Sequence, residues 1–313
     1  MRVLLVSYEL PILENIRGWD TYLTYFLDKY LRLNNIEVIN ICFKKDNPIP
    51  DIPKIDFIIC ITRISYLIEM GLINILKERS NNKICCYGDI VYSKKYDIGQ
   101  FIFSVLGGED LDKIKYYSSY WCGDDKYLYP EKDPDKFYIL LDHIHYSSTK
   151  YHFIYDVYRL ALERLSKKYP IDVKIIADPN VRDFGINNHT YTRSKNKWLD
   201  IISYYRKAHL YCVTHLELGG LSVMETAWCG ASVIIPDDYI CDVLGSQVKS
   251  YRWLTGRSDG IYRCWNDIKD NNVDSLYSAL ELSILEYDVE KNIKLARART
   301  WDDVVKKIVE RMS

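Results

Sequence analysis

The chain has 313 residues, of which 48% are hydrophobic and 27% charged, and its net charge is −1. This composition excludes a disordered chain, and the balanced charge provides no overall basic field of the kind that nucleic-acid-binding proteins use. The length predicts two domains. Nine scattered cysteines, a first apolar run too short for a secretory signal and no apolar run of membrane-spanning length favour a reduced protein of the cytoplasm. The 28 tyrosines, with frequent isoleucine, lysine and asparagine, suggest an AT-rich genome of viral or archaeal origin.

The first half of the chain alternates predicted strands and helices. Residues 2–7 are apolar and β-branched, as expected of a strand buried on both faces of a parallel sheet. Apolar residues then recur at helical spacing over 19–33, which predicts a helix. Further strands are predicted at 37–43, 56–61 and 83–87, and a second helix at 64–77. The pattern is typical of βαβ units in a doubly wound parallel sheet.

A polar, proline-bearing stretch at 129–136 (YPEKDPDK) separates this half from the next. We therefore predict a first domain at 1–132, a second domain at 133–297 and a last helical segment at 298–313. The second half repeats the alternation, with strands at 137–141, 173–177, 210–214 and 232–235 and helices at 151–168, 198–207, 220–229 and 301–312. The chain thus predicts an α/β fold of two successive Rossmann-like halves.

The segment from 210 to 238 carries the clearest chemical pattern. It is predicted as strand, acidic loop, glycine pair, helix, small-residue turn and strand, with Glu217 before the glycines and Glu225 in the helix. Gly219 and Gly220 stand where the helix begins, so backbone N–H groups there can approach a phosphate whose charge the helix dipole favours. The pattern predicts a diphosphate site flanked by two carboxylates. A carboxylate in the first turns of a helix also matches the helix dipole or caps the helix, which is the structural alternative for Glu225.

Two glutamates with seven residues between them, glycines after the first and a small-residue turn after the second resemble the signature of glycosyltransferase family four, whose members are retaining enzymes of the GT-B type. The matching positions are Thr214, Glu217, Gly219, Gly220, Glu225, Ala227, Gly230 and Val233, and Ser232 replaces the family's proline. The ending, RARTWDDVVKKIVERM, resembles the helix that crosses back to the N-terminal domain in that family. The resemblance implies a GT-B fold, in which two Rossmann-like domains face each other across a cleft.

The resemblance also implies a role for each matched residue. Glu217 would contact the hydroxyls of the donor sugar and help to stabilise the reacting sugar, and Glu225 would hold the ribose hydroxyls. Backbone N–H groups for the diphosphate or the sugar would come from Gly219, Gly220 and Leu221. The first domain would form the acceptor side of the enzyme, and the second would bind the nucleotide sugar.

Two features depart from the family pattern. Its second domain opens with an arginine and a lysine that bind the diphosphate, whereas here His143 stands near the arginine position and Lys150 is the nearest lysine. All six histidines lie in the second half, so the family's N-domain histidine is missing, and Asp89 stands roughly in its place. Asp89 would take over the acceptor-side role, unless it only caps the segment that follows. Gly18 resembles a glycine of the family's N-terminal loop and would border the acceptor.

Three patterns allow other interpretations. His143 and His145 could form half of a metal site, but no third ligand follows at a suitable spacing. The DPD pattern at 133–135 precedes a strand, whereas a metal-binding carboxylate pair should follow one, so it fits a charged linker better. Trp19, Tyr22 and Phe26 on the first helix could face a membrane or an acceptor, although such an aromatic stripe usually packs in a core.

These features together predict a metal-independent glycosyltransferase that moves a sugar from a nucleoside diphosphate sugar to an acceptor hydroxyl with retention of configuration. The acceptor stays open between glycan, lipid, protein and small molecule, and so does peripheral contact with a membrane. Neither a cofactor nor a nucleic-acid partner is expected. Two alternatives remain, namely a binding protein of the same fold without turnover and a sugar-nucleotide epimerase of GT-B shape.

Overall fold

The computed structural model describes residues 1–16, 18–42, 51–61, 64–87, 101–104, 115–118, 122–144, 152–177, 189–193, 197–213, 221–236, 262–265, 273–297 and 300–312. The chain forms two compact units, one of Met1–Trp121 with Arg299–Ser313 and one of Cys122–Ala298. Residues 122–132, which the sequence analysis assigned to the first domain, pack within the second unit. For example, the backbone N–H of Glu131 donates to the carbonyl of Arg206 at 2.9 Å.

The described strands of the first unit are β1 (Arg2–Ser7), β2 (Glu37–Cys42), β3 (Phe57–Cys60), β4 (Ile84–Tyr87), β5 (Phe101–Ser104) and β6 (Lys115–Ser118). They form one parallel sheet in the order β2-β1-β3-β4-β5-β6. The predicted strands among them are confirmed, whereas β5 and β6 have no counterpart in the sequence prediction. Val3, Leu4, Leu5 and Val6 are fully buried, as the continuous apolar run of β1 predicts.

The described helices are α1 (Trp19–Leu33), α2 (Ile64–Glu69), α3 (Leu72–Arg79), α4 (His152–Ser166), α5 (Trp198–Lys207), α6 (Leu221–Trp228), α7 (Val273–Leu285), α8 (Val289–Ala296) and α9 (Trp301–Met312). Hydrophobic spacing predicts α1, α5 and α9 with these same bounds. The single helix predicted over 64–77 is wrong, because Gly71 adopts a left-handed conformation (φ 69°) that separates α2 from α3. The sequence prediction contains neither α7 nor α8.

Helix α9 packs against α1 within the first unit. The Trp301 ring stacks on Phe26 with centroids 5.7 Å apart and on Tyr30 at 6.0 Å. Tyr22 and Phe26 have no exposed surface, so these two aromatic residues of α1 pack in the core and do not face a membrane or an acceptor. The side chain of Trp19, the third residue of the stripe, lies outside what the structure describes. In the part of the chain that the structure describes, no helix is long and apolar enough to cross a membrane.

The described strands of the second unit are β7 (Phe137–Ile144), β8 (Ile171–Ala177), β9 (His189–Arg193), β10 (Leu210–Val213), β11 (Ser232–Pro236) and β12 (Tyr262–Trp265). Their order in the sheet is β12-β11-β10-β7-β8-β9, and every pair is parallel. Counted from β7, this is the 3-2-1-4-5-6 order of the dinucleotide-binding Rossmann fold. The predicted two-domain α/β architecture is confirmed.

Helices cover both faces of the second sheet. On one face α4 and α7 pack on alternate strand residues such as Ile139, Leu141 and Val173. On the other face α6 packs beside β10 and β11 and between α5 and α8. Because β10 leads into α6, this second face carries the segment with the chemical pattern.

Candidate functional site

The strand order of the second sheet reverses between β7 and β10. In open parallel sheets, ligands bind outside the carboxyl ends of the strands at such a point. The two strands are paired in parallel with Val213 opposite Asp142, so they end at the same edge. His143 follows Asp142 near the end of β7, and residues 214–220 join β10 to α6. The topology therefore brings the strands that lead to both parts of the predicted donor site to one edge.

Several predicted site residues lie outside the residues that the structure describes, namely Glu217, Gly219, Gly220, Lys150 and Asp89. Their roles stay predictions. For His143 the structure describes the backbone alone, which belongs to β7 where the pairing with β8 becomes irregular between Leu141 and Ile144. His145, the second half of the metal pattern considered above, is also outside the described residues.

Glu225 lies on α6, and its side chain is buried. Helix α6 begins at the partly exposed Leu221, and its remaining residues are all buried. Glu225 is 2% exposed, and its Oε1 accepts a hydrogen bond of 2.6 Å from the indole Nε1 of Trp198. Burying a carboxylate costs several kcal/mol unless hydrogen-bond donors satisfy it. Glu225 is therefore not a solvated charge that merely matches the helix dipole.

Trp198 is the first residue of α5, and the sequence analysis did not identify it as part of the site. Its side chain is buried and meets the Tyr127 ring edge-on, with ring centroids 5.5 Å apart. The hydrogen bond to Glu225 joins positions that are 27 residues apart. Periodicity predicts where α5 and α6 begin, but no local pattern links one side chain on each helix. This residue therefore becomes visible only in the tertiary structure.

The glycine of the small-residue turn has a structural role. Gly230 follows the end of α6 with a left-handed φ of 83°, which favours glycine. Its N–H bonds the carbonyl of Ala227 at 2.8 Å, and its carbonyl accepts from Asn292 and from the Tyr287 hydroxyl at 3.1 Å each. A Cβ at Gly230 would lie 2.7 Å from Val289. This motif position therefore ends the helix and packs α8, and it needs no ligand to explain it.

The last residue of α6 makes a second indole–carboxylate hydrogen bond. The Trp228 Nε1 donates to Asp125 Oδ1 at 2.8 Å, and Arg297 pairs with the same Asp125 oxygen at 3.3 Å. Gly123 passes so close that a Cβ there would lie 2.4 Å from the Trp228 ring. The Asp125 side chain is 68% exposed, in contrast to Glu225. Through these contacts, residues near both ends of the second unit pack against α6.

Two buried bases lie where the strands of the second sheet begin. The Lys132 Nζ donates to the carbonyl of Ala208, and burial lowers the pKa of Lys132 from 10.5 to about 7. His209 accepts from the backbone N–H of Tyr138 at 3.1 Å through Nδ1. Burial, and then the nearby charge of Lys132, lower the pKa of His209 to about 4. His209 is therefore neutral at pH 7, and these groups belong to the edge opposite the predicted donor site.

A pocket of about 240 Å³ opens on the second unit between β7, β8 and α5. Its lining residues are Tyr138, Leu140, Lys174, Ser203, Tyr204, Lys207 and Ala208. Most of them belong to the amino-terminal half of β7 or the end of α5, so the pocket lies toward the edge where the strands begin. The predicted donor site lies at the opposite edge, where the strands end.

In the first unit, Gly18 is the residue before α1 and its backbone is extended. Its N–H donates to the Thr21 hydroxyl at 3.2 Å, which in turn donates to the Gly18 carbonyl at 3.0 Å. Gly18 thus shapes the start of α1. The DPD pattern forms a local turn in which Asp133 accepts from the N–H of Asp135 at 3.0 Å. The described residues contain no group of three or more His, Cys, Asp or Glu placed to hold a metal ion.

A scan against protein-family models and a search of curated proteins found no match to this chain. Solved structures, by contrast, match over its full length. The O-GlcNAc transferase of Thermobaculum terrenum superposes with a TM-score of 0.58 at 11% sequence identity, covering 100% of this chain and 67% of that one. A glycosyltransferase of kitacinnamycin superposes with a TM-score of 0.57 at 11% identity, covering 99% and 98%.

The UDP-GlcNAc 2-epimerase of Neisseria meningitidis, solved with UDP-GlcNAc bound, is also similar, with a TM-score of 0.55 at 13% identity. The match covers 100% of this chain and 99% of that one. At such identities the likeness shows the fold alone, and that fold is GT-B. The sequence-based prediction of a GT-B architecture is confirmed.

Proposed function

We propose that this chain is a glycosyltransferase that moves a sugar from a nucleoside diphosphate sugar to an acceptor hydroxyl with retention of anomeric configuration. The observation that carries the proposal is the buried carboxylate of Glu225. It lies on the helix that follows the switch point of the second sheet, at the position of the second glutamate in the two-glutamate signature. The GT-B fold and the resemblance to family four support the same assignment.

In this proposal the second unit binds the donor. The N-terminus of α6, with Gly219, Gly220 and Leu221, offers backbone N–H groups to the diphosphate, whose charge grows as the sugar departs. Glu225 accepts hydrogen bonds from the ribose hydroxyls. His143 and Lys150 add donors near the diphosphate, in place of the arginine and lysine of the family.

The reaction breaks the bond between the anomeric carbon and the diphosphate oxygen and forms a bond from the same carbon to the acceptor oxygen. The acceptor proton leaves with the departing diphosphate or passes to a nearby base. Glu217 stabilises the reacting sugar through its hydroxyls. Asp89 and Gly18, in the first unit, contribute to the acceptor side. The proposed steps use neither a metal ion nor a cofactor.

The test begins with a thermal-shift screen of UDP-, GDP-, ADP- and TDP-sugars. A ligand present at about 100 times its dissociation constant raises the free energy of unfolding by about 2.7 kcal/mol, which is readily detected. The donor that binds is then incubated with candidate acceptors, and the anomeric configuration of the product is determined by proton NMR. Transfer with inversion would contradict the retaining assignment. Binding of no nucleotide sugar would contradict the proposed function as a whole.

A second candidate is a sugar-nucleotide epimerase, which the full-length similarity to the UDP-GlcNAc 2-epimerase favours. This activity needs no acceptor, so conversion of the donor alone into its epimer would identify it. Binding without transfer or epimerisation would identify the third alternative, a nucleotide-sugar-binding protein without turnover. The same incubations, analysed by NMR with and without acceptor, separate all three.

A further inference from the structure

We infer that Trp198 is a positioning residue for Glu225, orienting its carboxylate toward the ribose of a bound nucleotide. This inference rests on the proposed function, because Glu225 is the group that would hold the ribose hydroxyls. Trp198 is not expected to contact the reacting atoms. Its effect is exerted through the carboxylate to which it is bonded.

The geometry of the hydrogen bond supports this role. Trp198 Nε1 and Glu225 Oε1 are 2.6 Å apart, which is a direct hydrogen bond between two buried side chains. An indole N–H can only donate, so Trp198 can only hold Glu225 as an acceptor. The bond fixes where Oε1 lies relative to the indole ring and so restricts the orientations that the carboxylate can adopt.

The indole ring of Trp198 is itself held in place by neighbouring side chains. Trp198 is 6% exposed, and the ring of Tyr127 packs edge-on against it. The Tyr127 backbone is anchored in turn, because its carbonyl accepts from Arg206 Nε at 2.8 Å. Arg206 also lies 4.0 Å from the centre of the Tyr129 ring. A chain of packed groups therefore supports the orientation of one carboxylate, as a binding residue requires.

The class of ligand comes from the proposed function, and the acceptor chemistry of the carboxylate agrees with it. A carboxylate has lone pairs on two oxygens, and Trp198 occupies a direction on one of them. The two vicinal hydroxyls of a ribose are matched donors for such an oriented acceptor. A 2′-deoxyribose lacks one of these donors, so the orientation of Glu225 should be measurable as discrimination between a ribonucleotide and its 2′-deoxy counterpart.

The test compares Trp198→Phe, which keeps a buried ring but removes the N–H, with the wild-type protein. The probes are the nucleoside diphosphate that binds wild type most tightly and its 2′-deoxy form. We expect affinity for the ribonucleotide to fall about 5- to 20-fold in Trp198→Phe, and affinity for the 2′-deoxynucleotide to change less than about twofold. A merely structural role would weaken both ligands equally.

Trp228→Phe is the matched control. It removes the other indole–carboxylate hydrogen bond on the same helix, the one to Asp125. We expect its discrimination between the two nucleotides to equal that of wild type. In a Glu225→Gln background, Trp198→Phe should cause little further loss of discrimination, because the two residues act through one contact.

Several outcomes would overturn the inference. One is full ribose discrimination in Trp198→Phe, and another is an equal loss in Trp228→Phe. If Trp198→Phe shows no cooperative unfolding transition, Glu225→Asp replaces it, since the shorter side chain withdraws the carboxylate from Trp198. Retained discrimination in Glu225→Asp would then count against the inference. If wild type binds no nucleoside diphosphate, the proposed function itself fails, which is a distinguishable result.

Discussion

Glu225 and the pair Lys132 and His209 are ionisable groups buried in the same unit, but their partners differ. The two bases bond to backbone groups, the carbonyl of Ala208 and the N–H of Tyr138, and burial lowers both pKa values. His209 is therefore neutral at pH 7, and Lys132 loses its charge as the pH rises above about 7. Glu225 accepts instead from a side chain, the indole N–H of Trp198. The difference teaches that the backbone alone provides the partners of the two buried bases, whereas the buried acid depends on a side chain from another helix.

The largest expected effect is the loss of turnover in Glu217→Gln. Turnover should fall about 100-fold or more, because the interaction with the reacting sugar is strongest in the transition state. Affinity for the nucleoside diphosphate should stay within about threefold of wild type. Steady-state kinetics and calorimetric titration measure the two quantities. Lys132→Met, assayed at pH 8, serves as the control and should keep its turnover. Equal losses of turnover and affinity would make Glu217 structural.

Glu225→Ala should weaken nucleotide binding by about 1.5 to 3 kcal/mol, since it removes a charged hydrogen-bond acceptor. Because it leaves the buried N–H of Trp198 without this acceptor, it should also lower the free energy of unfolding by about 1 to 3 kcal/mol. Titration calorimetry and urea unfolding measure the two effects. Glu281→Ala is the control for nucleotide affinity, because this carboxylate lies on α7 and pairs with Lys168. Unchanged affinity in Glu225→Ala would remove the residue from the site.

Gly123→Ala addresses packing alone, at the end of α6. The new Cβ would lie 2.4 Å from the Trp228 ring, so the indole or the backbone must move. We expect the free energy of unfolding to fall by about 1 to 3 kcal/mol while nucleotide affinity stays unchanged. Gly18→Ala is the control for stability, because its nearest contact would be 3.4 Å from Asp20. Equal midpoints of urea unfolding for Gly123→Ala and wild type would contradict this expectation and would show that the Trp228 ring moves at little cost in stability.

The smallest effect concerns the pH dependence of stability. The pKa of Lys132 is about 7 in the folded state and 10.5 ordinarily, so the unfolded chain binds more protons between these values. Stability should therefore rise with pH, by about 1 kcal/mol from pH 7 to pH 8 through this group. In Lys132→Met that contribution should disappear, whereas the exposed Lys136→Met should retain it. Urea unfolding at the two pH values measures the slope. Parallel slopes in wild type and Lys132→Met would contradict the pKa assigned to Lys132.

Local patterns predict much of the secondary structure of this protein. The bounds of β1, α1, α5 and α9 follow from runs or spacings of apolar residues within one element. The break between α2 and α3 is caused by the left-handed backbone of Gly71. Apolar residues keep a helical spacing across this glycine, so their pattern predicts one continuous helix. Strand β5 pairs with β4 and with β6, and the sequences of β5 and β6 contain no alternation strong enough to predict them.

In the candidate site, too, some features follow from residues close in the chain and others only from tertiary contacts. The glutamates and glycines of 217–225 are close in the chain, so their spacing predicts a diphosphate site flanked by two carboxylates. The resemblance to glycosyltransferase family four then implies a nucleotide sugar, with Glu225 as one of its binding carboxylates. Trp198 lies 27 residues away on another helix, and its bond to Glu225 exists because α5 and α6 pack side by side. Gly230 belongs to the signature, yet its contacts with Asn292 and Tyr287 explain it through packing.

The sequence by itself determined the two-domain α/β class, the elements with continuous or periodic apolar residues and the acidic, glycine-bearing segment, since each depends on residues that are neighbours in the chain. The tertiary structure decided which strands meet, and so placed the switch point beside β10. It also decided which ionisable groups lose contact with water. Burial and hydrogen bonding depend on residues that are distant in the chain, and they distinguish a buried carboxylate bonded to a side chain from buried bases bonded to the backbone.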